Sequence, residues 1–191
     1  MGTKPVSVGK DARTFTRHIE QVSGTKTSLC YQCGKCSAGC PVAFAMDYTP
    51  RQVIRLLQLG LTDEALKADS VWICASCDTC SSRCPRGVDI AAFMDAMRRE
   101  ALQRGIITDK EVDAFNKAFL GSVRRFGRVH ETGLILEYNL RIMRPLKDAE
   151  LGLPMLLRGK ISPLPERIKN RKAVQAIFER AKQLGGEHEC E

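Results

Sequence analysis

No stretch of this chain approaches the roughly 18–20 consecutive apolar residues needed to cross a bilayer. Its first residues, MGTKPVSVGKDARTF, hold no hydrophobic segment of the kind found in a secretory signal. Met1-Gly2 is followed by Ser7, not by the Ser or Thr at position 6 that N-myristoylation requires. The sequence therefore reads as soluble and cytoplasmic, with no transmembrane segment. Histidine is scarce, three in 191 residues, and neither His18 nor His130 has a ligand-spaced companion. There is no Ser/His/Asp grouping, no paired-carboxylate motif and no Rossmann glycine pattern. Gly24-Thr25-Lys26-Thr27 lacks the earlier glycine of a phosphate-binding loop. Aromatic residues make up only 6% and are not interleaved with basic ones, so the net charge of +8 does not point to nucleic acid. These absences leave chemistry supplied by a bound group.

Cysteine is what the chain has in abundance. Cys30, Cys33, Cys36 and Cys40-Pro41 read C-x2-C-x2-C-x3-C-P, and Cys74, Cys77, Cys80 and Cys84-Pro85 repeat it position for position. This is the bacterial-ferredoxin spacing for a cubane 4Fe–4S cluster, and two copies predict two clusters. The x2 gaps let three thiolates of one tight loop reach three corners of a cube. In two-cluster ferredoxins the fourth cysteine of each motif ligates the neighbouring cluster. Similarity to them implies Cys30, Cys33, Cys36 and Cys84 around cluster 1, and Cys74, Cys77, Cys80 and Cys40 around cluster 2. The proline stiffens the exit from each fourth ligand and removes a backbone N–H. Zinc favours C-x2-C pairs separated by a longer spacer, and disulfides belong to oxidising compartments. Both explain the pattern less well. With cysteine in all eight ligand positions, neither cluster has an open iron for a substrate.

The rest of the chain reads as mostly α. Phe15, Ile19 and Val22 mark one face of a short helix over 11–22. Thr49-Pro50 supplies an N-cap and a first-turn proline for a helix that stops at Gly60, and Thr62-Asp63 opens a second. Ile90, Phe93, Met94, Met97 and Ala101 line a helix ended by Gly105. Asp109 opens another, with Val112, Phe115, Phe119, Val123 and Phe126 on one face. Helix is also expected over 134–142 and 169–184, on either side of a loop-rich stretch from Pro145 to Pro165. Domain organisation is expected as an N-terminal segment (1–22), a two-cluster domain (23–105), a helical basic extension that docks a partner (106–184) and an acidic tail (185–191). The basic excess lies in the extension, where residues 121–184 hold 14 Lys and Arg against 6 Asp and Glu. Two oxidised clusters with their thiolates would lower the total charge to about +4.

The 33 residues with helices between Cys40 and Cys74 separate this chain from small β-rich ferredoxins. They resemble the alpha-helical ferredoxin module of larger redox complexes. The Trp72-Ile73-Cys74 lead-in, the Arg83-Cys84-Pro85-Arg86-Gly87-Val88 exit, Phe126-Gly127-Arg128-Val129, Tyr138-Asn139-Leu140 and the basic tail from Leu157 on resemble the C subunit of heterodisulfide reductase (HdrC-like). That resemblance implies a non-substrate-binding subunit of an oxidoreductase acting on sulfur groups. It would relay electrons through two 4Fe–4S clusters between a flavin-containing, A-subunit-like protein and a CCG-domain, B-subunit-like protein that handles the disulfide. The alternatives are an iron–sulfur subunit of another flavoprotein dehydrogenase complex, or a stand-alone ferredoxin-like carrier. Succinate-dehydrogenase-type proteins would need cysteines for a 2Fe–2S cluster before Cys30, and fused relatives carry CCG motifs; neither occurs here.

Beside the ligands, Lys35, Arg83 and Arg86 would stabilise a reduced cluster or meet a partner's carboxylates, and Trp72 and Tyr31 would pack against the loops. Cys190, in His188-x-Cys190, reads as a frayed thiol. Because cluster binding is also folding free energy, iron removal is expected to disorder residues from about 28 to 90. Hydrogen exchange on chelator-treated protein checks this: protection should vanish there and persist in the helices after Asp109.

Overall fold

The computed structural model describes residues 11–145, 147, 154–155, 157–159, 164–165 and 168–185. Residues 1–10 of the N-terminal segment, most of the Pro145–Pro165 stretch and the tail with His188 and Cys190 lie outside them. The described residues are mostly helical and contain no strand. Among them, no helix is long and apolar enough to cross a membrane. The chain divides into two compact units, Met1–Asp109 and Lys110–Glu191.

The first unit contains α1 (Ala12–Ser23), α2 (Lys35–Ala38), α3 (Pro50–Gln58), α4 (Thr62–Leu66), α5 (Ser70–Ile73), α6 (Thr79–Ser82) and α7 (Ile90–Gln103). Between the cysteine motifs, α5 and a 3₁₀ turn at Ala43–Ala45 join the two helices expected there. Each loop also carries a one-turn helix, α2 or α6, too short for hydrophobic periodicity to reveal. α3 begins as its sequence dictates: Pro50 opens it, and Thr49 and Gln52 form a reciprocal capping box. Asp89 caps α7 by accepting from Ala92 N at 3.0 Å.

α7 is the hub of this unit, packed by α1, α4, α5 and α6. Its Phe93, Met94 and Met97 are fully buried, together with Ile19 of α1, Val53 and Ile54 of α3, Leu66 of α4 and Val71 of α5. Val22, expected on the buried face of α1, is instead 41% exposed, because the contact line runs through Ala12, Phe15 and Ile19. His18 Nε2 lies 3.2 Å from Oε2 of the buried Glu100, which also pairs with Arg104. The Gly24–Thr27 segment is structural: Thr27 donates through both N and Oγ1 to Glu20 Oε1, each at 2.7 Å.

The second unit contains α8 (Lys110–Phe126), α9 (Glu131–Arg141) and α10 (Arg171–Gly185), with α8 packed on both of the others. The line of α8 expected to be buried differs from the one observed. Ala118 and Ser122 are its buried residues, whereas Phe115 and Phe119 lie at the rim. Small side chains at the contact let a neighbouring helix approach closely, and Phe115 instead meets Tyr138 edge-on, with ring centroids 5.8 Å apart. His130 is a helix cap, its Nδ1 accepting from Gly133 N at 3.1 Å. In the first unit, Phe93→Ala should cost about 3–5 kcal/mol through the cavity it leaves. Denaturation midpoints of the cluster-loaded protein measure the loss.

Candidate metal centre

Three cysteines spaced by two residues turn their sulfurs to one side only if the chain between them bends sharply. In the first loop Gln32 (φ 66°) and Gly34 (φ 82°) make that bend; in the second, Ser76 (φ 46°) and Asp78 (φ 63°) do. These pairs are offset by 44 residues, as are all four cysteine pairs. Positive φ costs a non-glycine residue about 1–2 kcal/mol, so hydrogen bonds must hold the shape. Ala38 N donates to Gly34 O at 3.0 Å and Ser82 N to Asp78 O at 3.1 Å. Ala43 N donates to Cys40 O at 3.3 Å and Gly87 N to Cys84 O at 3.2 Å, the same 44-residue offset again.

The helix that follows each loop clamps it. Gln58 Nε2 of α3 donates to Thr27 O (2.8 Å) and Cys30 O (2.9 Å). Arg98 of α7 donates from Nε to Val71 O (3.0 Å) and from Nη2 to Cys74 O (2.6 Å). The clamped carbonyls are equivalent in the two copies, and the clamping residues stand eight positions after the first residue of their helices. Ser37 and Ser81, each next to a ligand, accept from Arg51 N (3.3 Å) and Ala91 N (3.0 Å) in the first turns of α3 and α7. The cysteine spacing alone does not point to Gln58, Arg98, Ser37 or Ser81. Their signal is the repeat extended past the cysteines, with four residues fewer between motif and helix in the second copy.

The two sets of thiols are matched in exposure. Cys33 and Cys77 are exposed, Cys36 and Cys80 buried, and Cys30, Cys40, Cys74 and Cys84 half-buried. Burial pushes the Cys36 thiol up and the Cys80 thiol up to about 11. The Lys35 N–H lowers Cys33, and the Thr79 hydroxyl, with Oγ1 3.4 Å from the sulfur, lowers Cys77. Iron binding would deprotonate all of them, and such donors then serve the bound sulfurs.

Cys30, Cys33 and Cys36 line one hollow, and the fourth cysteine on its wall is Cys84, from the other motif. Around it Gln32 Nε2 donates to Cys30 Sγ (3.3 Å), Val88 N to Cys84 Sγ (3.3 Å) and the Tyr31 hydroxyl to Cys33. Lys35, Arg51 and Arg86 complete the wall. Tyr31 thus meets a ligand while remaining 60% exposed, whereas Trp72 is buried in the core. No three His, Cys, Asp or Glu side chains among the described residues converge on a single ion. A cubane spreads its thiolates over four separate irons. The donor set and the hollow fit such a cluster. On the other side, α2 packs on α6, and the Arg83 guanidinium covers Gly39, so the segments ending in Cys40 and Cys84 lie against each other.

Residues 26–88 match the family model of the 4Fe–4S dicluster domain. The chain carries a 4Fe–4S dicluster domain. Its cofactors are two 4Fe–4S clusters. The chain is 47% identical over 87 residues to the iron–sulfur C subunit of CoB–CoM heterodisulfide reductase from Methanopyrus kandleri, covering 46% of this chain and 45% of that one. It is 34% identical over 99 residues to the C subunit of the H2:CoB–CoM heterodisulfide,ferredoxin reductase of Methanothermobacter thermautotrophicus (52% and 54% covered). A protein of Archaeoglobus profundus named as like the heterodisulfide reductase C subunit is 37% identical over 82 residues (42% and 44%). The chain spans about half the length of the curated relatives it matches.

In the dicluster domain, Cys36→Ala should degrade one cluster and spare the other's ligands, lowering iron from eight per chain toward four. Cys40→Ala should damage the cluster held mainly by the second motif. Iron analysis with electron paramagnetic resonance (EPR) checks both, and an intact eight-iron spectrum in Cys36→Ala sinks the ligand assignment.

Proposed function

We propose that this chain is the electron-relay subunit of a heterodisulfide-reductase-like complex, moving electrons singly between a flavin-containing, A-subunit-like protein and a CCG-domain, B-subunit-like protein. The observation that carries this reading is the hollow walled by Cys30, Cys33, Cys36 and Cys84. Cysteine in every ligand position suits electron transfer and leaves no iron for substrate, so the disulfide is handled on the partner. The chain's own residues hold the clusters, supply donors to their sulfurs and keep the buried side of each loop away from water. Similarity to three proteins named as the heterodisulfide reductase C subunit or its like supports the choice of complex.

The second unit is the docking element in this proposal. Its residues 121–184 carry the basic excess, and α9 and its C-terminal end expose Leu136, Leu140 and Met143 at helical spacing. An apolar stripe beside arginines suits a partner surface with acidic residues around an apolar centre. Native purification without oxygen should recover a CCG-domain protein, with or without a flavoprotein, in stoichiometric amount. Recovery alone, or with an unrelated dehydrogenase, reduces the claim to a two-cluster electron carrier.

A further inference from the structure

The two ligand sets are matched in backbone and exposure but not in charge. Lys35, Arg51 and Arg86 line the hollow of the first set, and among the described residues none of them forms an ion pair. At the positions equivalent by the repeat the second copy has Thr79 for Lys35 and Ala91 for Arg51, and Val42 stands where Arg86 does after the fourth ligand. The second copy adds carboxylates instead. Asp78 replaces Gly34 in the loop, Asp89 accepts from Ser81 Oγ at 2.8 Å, and Asp95 accepts from Ser76 Oγ at 2.8 Å. Its cation, Arg98, is paired with Asp95 at 3.2 Å. Arg83, just before Cys84 in the second motif, lies over Gly39, just before Cys40 in the first, so it adds to both sides. Hydrogen bonding differs in the same sense. Among the described residues, side-chain or backbone donors from Gln32, Tyr31, Lys35, Ser37 and Val88 reach sulfurs of the first set, against those of Thr79 and Ser81 at the second.

A 4Fe–4S cluster becomes more negative when reduced, so nearby cations and donors to its sulfurs stabilise the reduced form, and carboxylates oppose it. Ligand exposure, the other common determinant, is equal position by position. We propose that the cluster held by Cys30, Cys33, Cys36 and Cys84 has the higher reduction potential, so that electrons run downhill inside the domain from the second-motif cluster to it. In that step the second-motif cluster is oxidised by one electron and the first-motif cluster reduced by one, with no bond formed or broken and no proton moved. Lys35, Arg51 and Arg86 set the gradient on one side, and Asp78, Asp89 and Asp95 on the other. The inference rests on the crossed ligand assignment above and is independent of which partners the chain serves.

The test is an EPR-monitored redox titration of the eight-iron full-length protein and of two variants that exchange residues between the copies. In Lys35→Thr/Arg86→Val the higher midpoint should fall, with the oxidised-to-reduced ratio at fixed potential rising about tenfold, or about 59 mV for a one-electron couple; the lower midpoint should stay. In Thr79→Lys the lower midpoint should rise and the higher one stay, which keeps the test alive if the double variant loses iron. Movement of the opposite midpoint in either variant, or of none, overturns the proposal. Cys84→Ser separates the ligand assignment from the charge argument. Perturbation of the midpoint that Lys35→Thr/Arg86→Val moves upholds the crossed set. Perturbation of the other midpoint refutes that set while leaving the charge comparison measurable.

Discussion

The first unit is organised by one steric requirement: three sulfurs within seven residues must face the same way. The bend that achieves this needs two residues of positive φ in each loop, and only one of the four is glycine. The conformational cost is met by a short helix directly after each bend and by a clamp from the long helix that follows. α3 and α7 therefore do more than contribute apolar faces to a core. Their first turns are fastened to Ser37 and Ser81, and their later turns to the carbonyls of Cys30 and Cys74. Packing of α7 against four other helices transmits the rigidity of the core to the loops.

The sequence disclosed the cofactor more readily than the architecture around it. Eight cysteines at a repeated spacing carry their chemistry openly, because ligand geometry permits few alternatives. The longer helices were legible through periodicity and through end signals such as Thr49-Pro50. The one-turn helices α2 and α6 were not, since four residues cannot display a period, and of the bend-setting residues Gln32 and Ser76 are types that seldom take positive φ. The burial line of α8 is hidden in the sequence because large apolar side chains attract the assignment, whereas Ala118 and Ser122 make the contact. Gln58 and Arg98 are equally hard to read, because their role depends on equivalence between copies that share almost no side chains outside the ligands.

That lack of identity is functional. A duplicated scaffold with unchanged side chains would present two equal sites, and equal sites give an electron no preferred direction. Here the duplication supplies the geometry and the divergence supplies the difference: a lysine against a threonine, an arginine against an alanine, a glycine against an aspartate. The comparison is clean because the ligands themselves match in exposure.

Gly39 and Arg83 occupy equivalent positions in the two copies and touch each other. A Cβ on Gly39 would stand 2.5 Å from Arg83 Nη1 and 3.0 Å from its Cδ. The flexible Arg83 side chain thus fills the space that a side chain at Gly39 would take, and would have to swing aside for one. A residue larger than glycine at position 39 would therefore displace the guanidinium that lies between the two cysteine segments.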